Sequence, residues 1–503
     1  MQDSPVIRAL SILLALTLIV FLQIVQHDFV GWDDPVYVYG NIFVAQGLTW
    51  EGFSWGWNAF EQGNWHPLTW WSHMLDTQLF GLEPGATHAV NLALHSFNCS
   101  LLFLFFYSAT RRFYESLGVA ILFAVHPMHV ESVAWASERK DLLSSFFWIL
   151  AMIAHARYAR QPNRGMQAVV FFCMTLGLMA KATLIALPLI LLILDFWPLN
   201  RYPDRSWKSP EMRRFFLKCL VEKIPLFILS IIGSALAMYA QSHAGAVTDL
   251  PLVGRLAHVL LNYADYIEKF FWPLQLAPLY PFRAGYSAPL ALLALAALTA
   301  ITFAAFRYAR AFPWALAGWL WFLIALLPVV GLVKIGAHSI ADRYSYLAYI
   351  GLSIPLCWSL GRLAELEARS KKWIAAFSLS ILLCLTLMAQ KQASYWKNSE
   401  SLFQRALAVT QNNYLMHDYL GVAYFREERF EEAGEQFRES VRINPYYAKG
   451  RLSLGGYYYT VGEWELAEKE FQAALDLNPS LEQAREYRER ARMEQIQELP
   501  EVR

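Results

Sequence analysis

Asp33 and Asp34 stand side by side in the stretch VGWDDPVYVYGN (residues 30–41), a few residues beyond an apolar run that carries no charge. Adjacent acids repel, and one carboxylate raises the pKa of the other, so one of the pair can accept a proton near neutral pH. That is what a general base needs. Pro35 biases Asp34 towards extended backbone, which would project its side chain from the loop. The plain alternative is a solvated turn. Four cations, Lys181, Arg139, Lys140 and Arg343, fall in segments expected on the same side. Fixed cations suit a reaction whose leaving group is a phosphate. Each also has an ordinary reading: Lys181 as a snorkelling lysine, and ERKD (138–141) as an interfacial charge cluster.

Histidines and further acids lie in the same segments. His126, His129 and Glu131 sit close together in HPMHVESVAWASERKD (126–141). On a helix they could offer nitrogen and oxygen ligands to a divalent metal, but Pro127 interrupts that geometry and no HExxH spacing exists. A hydrogen-bonded structural pair and direct substrate contact are the competing readings. His66 lies in the tryptophan-rich first loop, an interfacial belt or a surface for stacking sugar rings. His338 and Asp342, with Lys334, lie in KIGAHSIADRYSYLAYIG (334–351). Ionisable residues at membrane depth are costly and mark ion paths, lipid head groups or catalysis.

The elements that must hold these residues are membrane helices. The 503 residues are 56% hydrophobic and only 17% charged, too little charge for a soluble chain of this length. A net charge of +1 argues against nucleic acid as the main partner. The five cysteines suggest neither a disulfide framework nor a metal knuckle. Apolar runs predict about eleven spans, near 9–26, 87–107, 116–127, 142–156, 167–180, 182–198, 224–240, 287–306, 312–333, 345–360 and 373–389. The first lacks a small-residue cleavage site and reads as a retained helix. No Lys or Arg occurs between Arg8 and Arg111, while seven acids do. The positive-inside rule therefore puts that loop outside, with the N-terminus inside and the C-terminus outside. The amphipathic stretch 252–273 is expected to lie on the outer interface rather than cross. The outer loops are then 27–86, 126–141, 242–286 and 334–344.

Beyond residue 390 the character changes. Residues 414–447 align with 448–481 at a spacing of 34, matching Leu420-Gly421, Tyr424, Ala433, Phe437 and Pro445 to Leu454-Gly455, Tyr458, Ala467, Phe471 and Pro479. This resembles the tetratricopeptide repeat, with His417 and Arg451 where its early Trp usually stands. A partial repeat (395–413) and a capping helix (482–498) complete a small solenoid, a form that docks peptides or proteins or scaffolds an assembly. The expected architecture is all-α: a membrane domain over 1–390 and a repeat domain over 391–503.

Together with NWHPLTWWSHMLD (64–76), HAVNLALHS (88–96) and LFAVHPMHVESVAWASERKDLLSS (122–145), the acid pair resembles the transmembrane and tetratricopeptide-repeat O-mannosyltransferases and their bacterial relatives. The resemblance covers nearly the whole chain. It implies a GT-C glycosyltransferase, an integral enzyme using a polyprenyl-phosphate-linked sugar, with Asp34 or Asp33 as the catalytic acid of the first outer loop. A protein acceptor would meet the repeats, and a bacterial inner membrane would place loops and repeats towards the periplasm or cell exterior. The chemistry agrees: one carboxylate takes the acceptor's proton, and a single displacement inverts the sugar. Lys181, Arg139, Lys140 and Arg343 are the expected donor-phosphate cations; His66, His126, His129, Glu131, His338 and Asp342 are expected near the substrates. The repeat array is shorter than in animal members, so acceptor choice does not carry over. Alternatives are a transferase for a glycan or lipid acceptor and a non-catalytic scaffold. A transporter should show paired halves with broken helices, and no such symmetry is visible.

Overall fold

The computed structural model describes residues 5–202, 209–245, 251–283, 285–333, 336, 338–366 and 371–498. All regular elements among them are helices, and they form two compact units. The first comprises Met1–Phe29, Asp33–Leu276 and Phe282–Trp396.

Seven of the expected spans are helices long and apolar enough to cross a bilayer: Pro5–Gln26, Pro84–Thr110, Ala136–Arg160, Ile224–His243, Ala288–Arg307, Asp342–Leu366 and Lys371–Ser394. The other four expected segments fall on a pair bent by 56°, Phe113–Val125 with Pro127–Ala134, and on three shorter apolar helices, Arg164–Ala180, Ala182–Phe196 and Pro313–Leu326. Leu290, Leu292, Leu293, Phe303, Phe377 and Leu379 are exposed on two of the long helices, a surface suited to lipid rather than water. Where helices touch, small residues allow it. A Cβ on Gly318 would lie 2.4 Å from the Gly351 carbonyl oxygen, so Pro313–Leu326 and Ser345–Leu366 meet backbone to backbone.

The bend at Pro127 follows from its missing N–H and its ring. Breaking the ladder frees carbonyls, which must find donors inside the membrane. One face of Pro84–Thr110 supplies two at helical spacing. Asn91 Nδ2 donates to the Trp135 carbonyl (3.1 Å) and His95 Nε2 lies 3.2 Å from that of Ala124, while the Phe123 carbonyl that Pro127 leaves without a donor lies 2.8 Å from His129 Nδ1. The polar residues of HAVNLALHS thus brace the broken segment that carries the charges.

Leu252–Phe271 contains Arg255, Asp265, Glu268 and Lys269 and is not among the apolar spans. Its buried face secures the segment before Asp342: Asn262 Nδ2 donates to the Val330 and Ser339 carbonyls (2.8 and 3.1 Å), and Tyr266 Oη donates to that of Ala341 (3.0 Å).

The second unit comprises Val30–Trp32, Ala277–Pro281 and Lys397–Arg503. Its helices are Ser399–Val409, Tyr414–Arg426, Phe430–Ile443, Ala448–Thr460, Trp464–Leu477 and Glu482–Glu498. The 34-residue spacing has a packing reason. A Cβ on Gly421 would lie 2.6 Å from the Phe437 ring, and one on Gly455 2.7 Å from that of Phe471, so each glycine admits the aromatic ring of its paired helix. The excursions are tied in by Gly31 N donating to Ser399 Oγ (2.8 Å) and Asn413 Nδ2 to the Leu279 carbonyl (3.3 Å).

Candidate active site

The two acids of the first loop are not equivalent. Asp34 is fully buried, and its Oδ1 accepts from Ser137 N (3.0 Å) and from the Ser137 hydroxyl. Its backbone is helical (φ −58°, ψ −32°), leading into the short turn Pro35–Tyr39. The extended conformation expected before Pro35 is therefore corrected: two hydrogen bonds turn Asp34 inward, onto the bent segment. Asp33 keeps 27% of its side chain exposed and faces Lys140 Nζ at 3.9 Å. Burial lifts its carboxyl above the ordinary value, with Lys140 and Arg343 pulling the other way.

Behind Asp33 lies a chain of ion pairs with Glu138 at its hub. Lys140 reaches Glu138 at 3.2 Å, Lys181 at 3.0 Å and Arg343 at 3.3 Å. Lys181 also pairs with Asp141 (2.7 Å), and Arg343 with Glu131, whose carboxylate accepts the Arg343 backbone N–H at 3.0 Å. Three cations meet four carboxylates, counting Asp33, so every cation has a carboxylate partner and one acid is in excess. Aromatic faces cover the cations: Lys140 lies 4.4 Å from the Tyr37 ring centre, and Arg343 5.5 Å from that of Trp135. Burial pushes the Tyr37 phenol up to about 12, so it stays protonated.

Lys181 owes its position to a break between two helices. It ends Arg164–Ala180 with extended backbone (φ −159°, ψ 138°), and Ala182–Phe196 begins at the next residue. A cavity of about 190 Å³ opens beside it, lined by His66, Asn64, Gln241, Arg255, His338 and Tyr344 among others. His338 Nε2 lies 3.0 Å from Tyr344 Oη. Burial, with Lys140 and Lys181 nearby, holds His66 well below the usual imidazole range, so it is neutral.

Other expected site residues go elsewhere. Arg139 is fully buried and spends its guanidinium on Asp76 (2.7 Å), Ser72 (2.8 Å), the Thr87 carbonyl (3.0 Å) and Asn91. It ties the helix Pro67–Phe80 to Pro84–Thr110. His126 Nε2 lies 3.0 Å from the Phe270 carbonyl, and His129 Nδ1 2.8 Å from that of Phe123. Glu131 is held by Arg343. The three do not converge, and among the described residues no group of His, Cys, Asp or Glu is placed to hold a metal ion. Asp342 is buried beside Arg343, and Lys334 lies outside the described residues.

Sequence reasoning quoted ERKD but passed over Glu138 and Asp141, the two acids that organise the cations. The available signal was charge density: four ionisable residues in a row at the head of an apolar helix. Asp195, a lone acid in the apolar run LILDFWP, was overlooked, although its partner Arg201 stands only six positions on.

No family model matches the chain. A protein O-mannosyl-transferase of Caenorhabditis elegans is 24% identical over 471 residues, covering 88% of this chain and 64% of that protein. Human protein O-mannosyl-transferase TMTC1 is 24% identical, covering 86% of this chain and 54% of its own length. Human TMTC4 is 25% identical, with 81% and 62% covered. The chain is thus similar to protein O-mannosyl-transferases over most of its own length. It spans roughly half to two thirds of the length of these curated relatives. Among solved structures, an Archaeoglobus fulgidus oligosaccharyltransferase tethered with an acceptor peptide is similar at a TM-score of 0.40 and 13% identity, covering 86% of this chain and 59% of that one. The oligosaccharyltransferase AglB of the same organism, in complex with an inhibitory peptide and a dolichol-phosphate, gives 0.41 and 13%, covering 85% and 59%. These two likenesses are too distant to carry an argument.

Proposed function

We propose that the chain is an integral membrane glycosyltransferase. It moves a hexose, mannose by analogy with its relatives' names, from a polyprenyl-phosphate donor to a hydroxyl of a protein on the outer face. The observation that carries this reading is the pairing of a partly exposed, proton-accepting carboxylate, Asp33, with the compensated cations behind it. The acceptor oxygen attacks the anomeric carbon as the carbon–oxygen bond to the phosphate breaks. Asp33 takes the hydroxyl proton, the lipid phosphate leaves with the bonding pair, and the configuration inverts. Lys181, Lys140 and Arg343 supply positive potential already oriented by Glu131, Glu138 and Asp141, so little rearrangement is needed as charge grows on the phosphate. Asp34, bonded to Ser137, sets the loop that presents Asp33. The C-terminal helix pairs are tetratricopeptide repeats in this reading and dock the protein acceptor. The absence of Lys and Arg from the first loop supports its outer, periplasmic or lumenal, orientation.

The test is transfer in reconstituted liposomes from polyprenyl-phosphate mannose to an outer-face protein or peptide acceptor, with the product's anomeric configuration determined. An inverted, covalently attached hexose is expected. Transfer only to a glycan or lipid acceptor would move the reading to that class, and no transfer from any lipid-linked sugar would overturn it.

A further inference from the structure

The cavity beside Lys181 has a composition that selects a ligand. Its cations are Arg255 and Lys181, the latter already held by Glu138 and Asp141, and among its described lining residues there is no carboxylate. An anion is therefore favoured there, in contrast to the compensated chain of ion pairs next to it. The remaining polar groups are amides, hydroxyls and imidazoles, the donors and acceptors that recognise hydroxyls. Asn64 and Gln241 form one such pair: Gln241 Nε2 donates to Asn64 Oδ1 at 3.2 Å, joining the first loop to the end of Ile224–His243.

Two buried polar atoms among the lining residues have no hydrogen-bond partner, Arg255 Nε and His66 Nδ1. Such groups are costly to leave unsatisfied, and a bound ligand recovers that cost. His66 is itself more than nine-tenths buried. Arg255 differs from Lys140, Lys181 and Arg343, each of which is already paired with carboxylates. The cavity is small, about 190 Å³, suited to a single sugar rather than a chain of them.

From this we infer that the cavity binds the hexosyl-phosphate head group of the donor, with Arg255 on the phosphate and the Asn64–Gln241 pair reading the sugar hydroxyls. The inference rests on the donor class proposed above and deepens it. It gives the amphipathic helix Leu252–Phe271, which carries Arg255, a direct part in donor capture.

The experiment measures binding of polyprenyl-phosphate mannose, sugar-free polyprenyl phosphate and soluble mannose 1-phosphate to the full chain in nanodiscs. Arg255→Ala should weaken both lipids by about tenfold, as expected for loss of a charge-assisted hydrogen bond, and Arg255→Lys should recover part of the loss. Gln241→Ala should weaken the sugar-bearing lipid alone. Thermal melting of each variant reports folding separately. Unchanged affinity of Arg255→Ala and Gln241→Ala, while wild type binds both lipids, would overturn this inference and leave the donor class standing. Wild type binding neither lipid would overturn both. Equal affinity for soluble mannose 1-phosphate would overturn the lipid-linked assignment.

Discussion

The membrane unit holds two buried charge clusters, one around Glu138 and one around Asp195, and they are built differently. Glu138 and His155 stand seventeen positions apart on the helix that begins at Ala136, about 25 Å along its axis. At the far cluster Asp195 is fully buried, with His155 Nε2 at 2.7 Å and Arg201 at 3.2 Å on one oxygen and Lys223 on the other. Arg201 is shared with Glu222 at 2.8 Å. A larger cavity of about 560 Å³ adjoins it and is reached by His155 and Lys223, but not by Asp195. Around Glu138 the ion pairs are just as dense, yet they end on a carboxylate that stays partly exposed and on a cavity with unpartnered polar atoms. On the proposed function, burial of charge does not distinguish a reacting site from a structural clasp, and incomplete pairing is the difference between the two.

Substitutions at the two hubs should separate these roles. Glu138→Gln leaves Lys140, Lys181 and Arg343 without their shared partner, so transfer should fall by about a hundredfold or more, with donor binding also weakened. A kinetic assay showing less than a threefold loss would place Glu138 outside the chemistry. Asp195→Asn should instead cost stability, about 3–5 kcal/mol, because the buried Lys223 loses its carboxylate and Arg201 is left with Glu222 alone. Transfer per folded molecule should stay within about twofold of wild type. If Asp195→Asn abolished transfer in well-folded protein, the contrast between the clusters would fail.

The pH profile sharpens the comparison further. Asp33 must be ionised to act as base, and its pKa is raised by burial while Lys140 opposes the rise. Activity should therefore increase with pH along an acid limb lying above the ordinary carboxylate range, then level off. Lys140→Met removes the opposing charge, so the limb should move to higher pH; a limb that stays put would detach Asp33 from the titration. The smallest effect is expected in the helical tail. Burial raises Asp418 to about 6, so the folded tail binds its proton more readily than the unfolded chain. That contribution is fully present below pH 4 and is lost as pH rises through about 6. Asp418→Asn should thus stabilise the tail at pH 7 by about 2–3 kcal/mol and lose this advantage below pH 4, read from hydrogen exchange in the full chain.

Much of the architecture could be read from local patterns, because lipid-facing helices and a 34-residue repeat write their periods into consecutive residues. Gly421 beneath Phe437 is such a case, since both recur one repeat later. The site was harder because its partners are distant in sequence. Asp34 finds Ser137 across 103 positions, and Arg139 finds Asp76 across 63. Nothing in local spacing says that Arg139 turns to a private acid while its neighbour Lys140 faces Asp33. The break at Pro127 was visible, but not that His95 and His129 would face its carbonyls. His126 and His129 looked like ligands because backbone partners leave no trace in sequence.

The most direct measurement compares Asp33→Asn and Asp34→Asn with wild type for transfer from polyprenyl-phosphate mannose, alongside donor binding and thermal melting. The account predicts that Asp33→Asn loses at least about a hundredfold in rate while melting and donor binding hold. Asp34→Asn should lower the melting temperature, since its two hydrogen bonds to Ser137 anchor the loop. Full activity in Asp33→Asn, with Asp34→Asn folded but inactive, would contradict the assignment of Asp33 as the base.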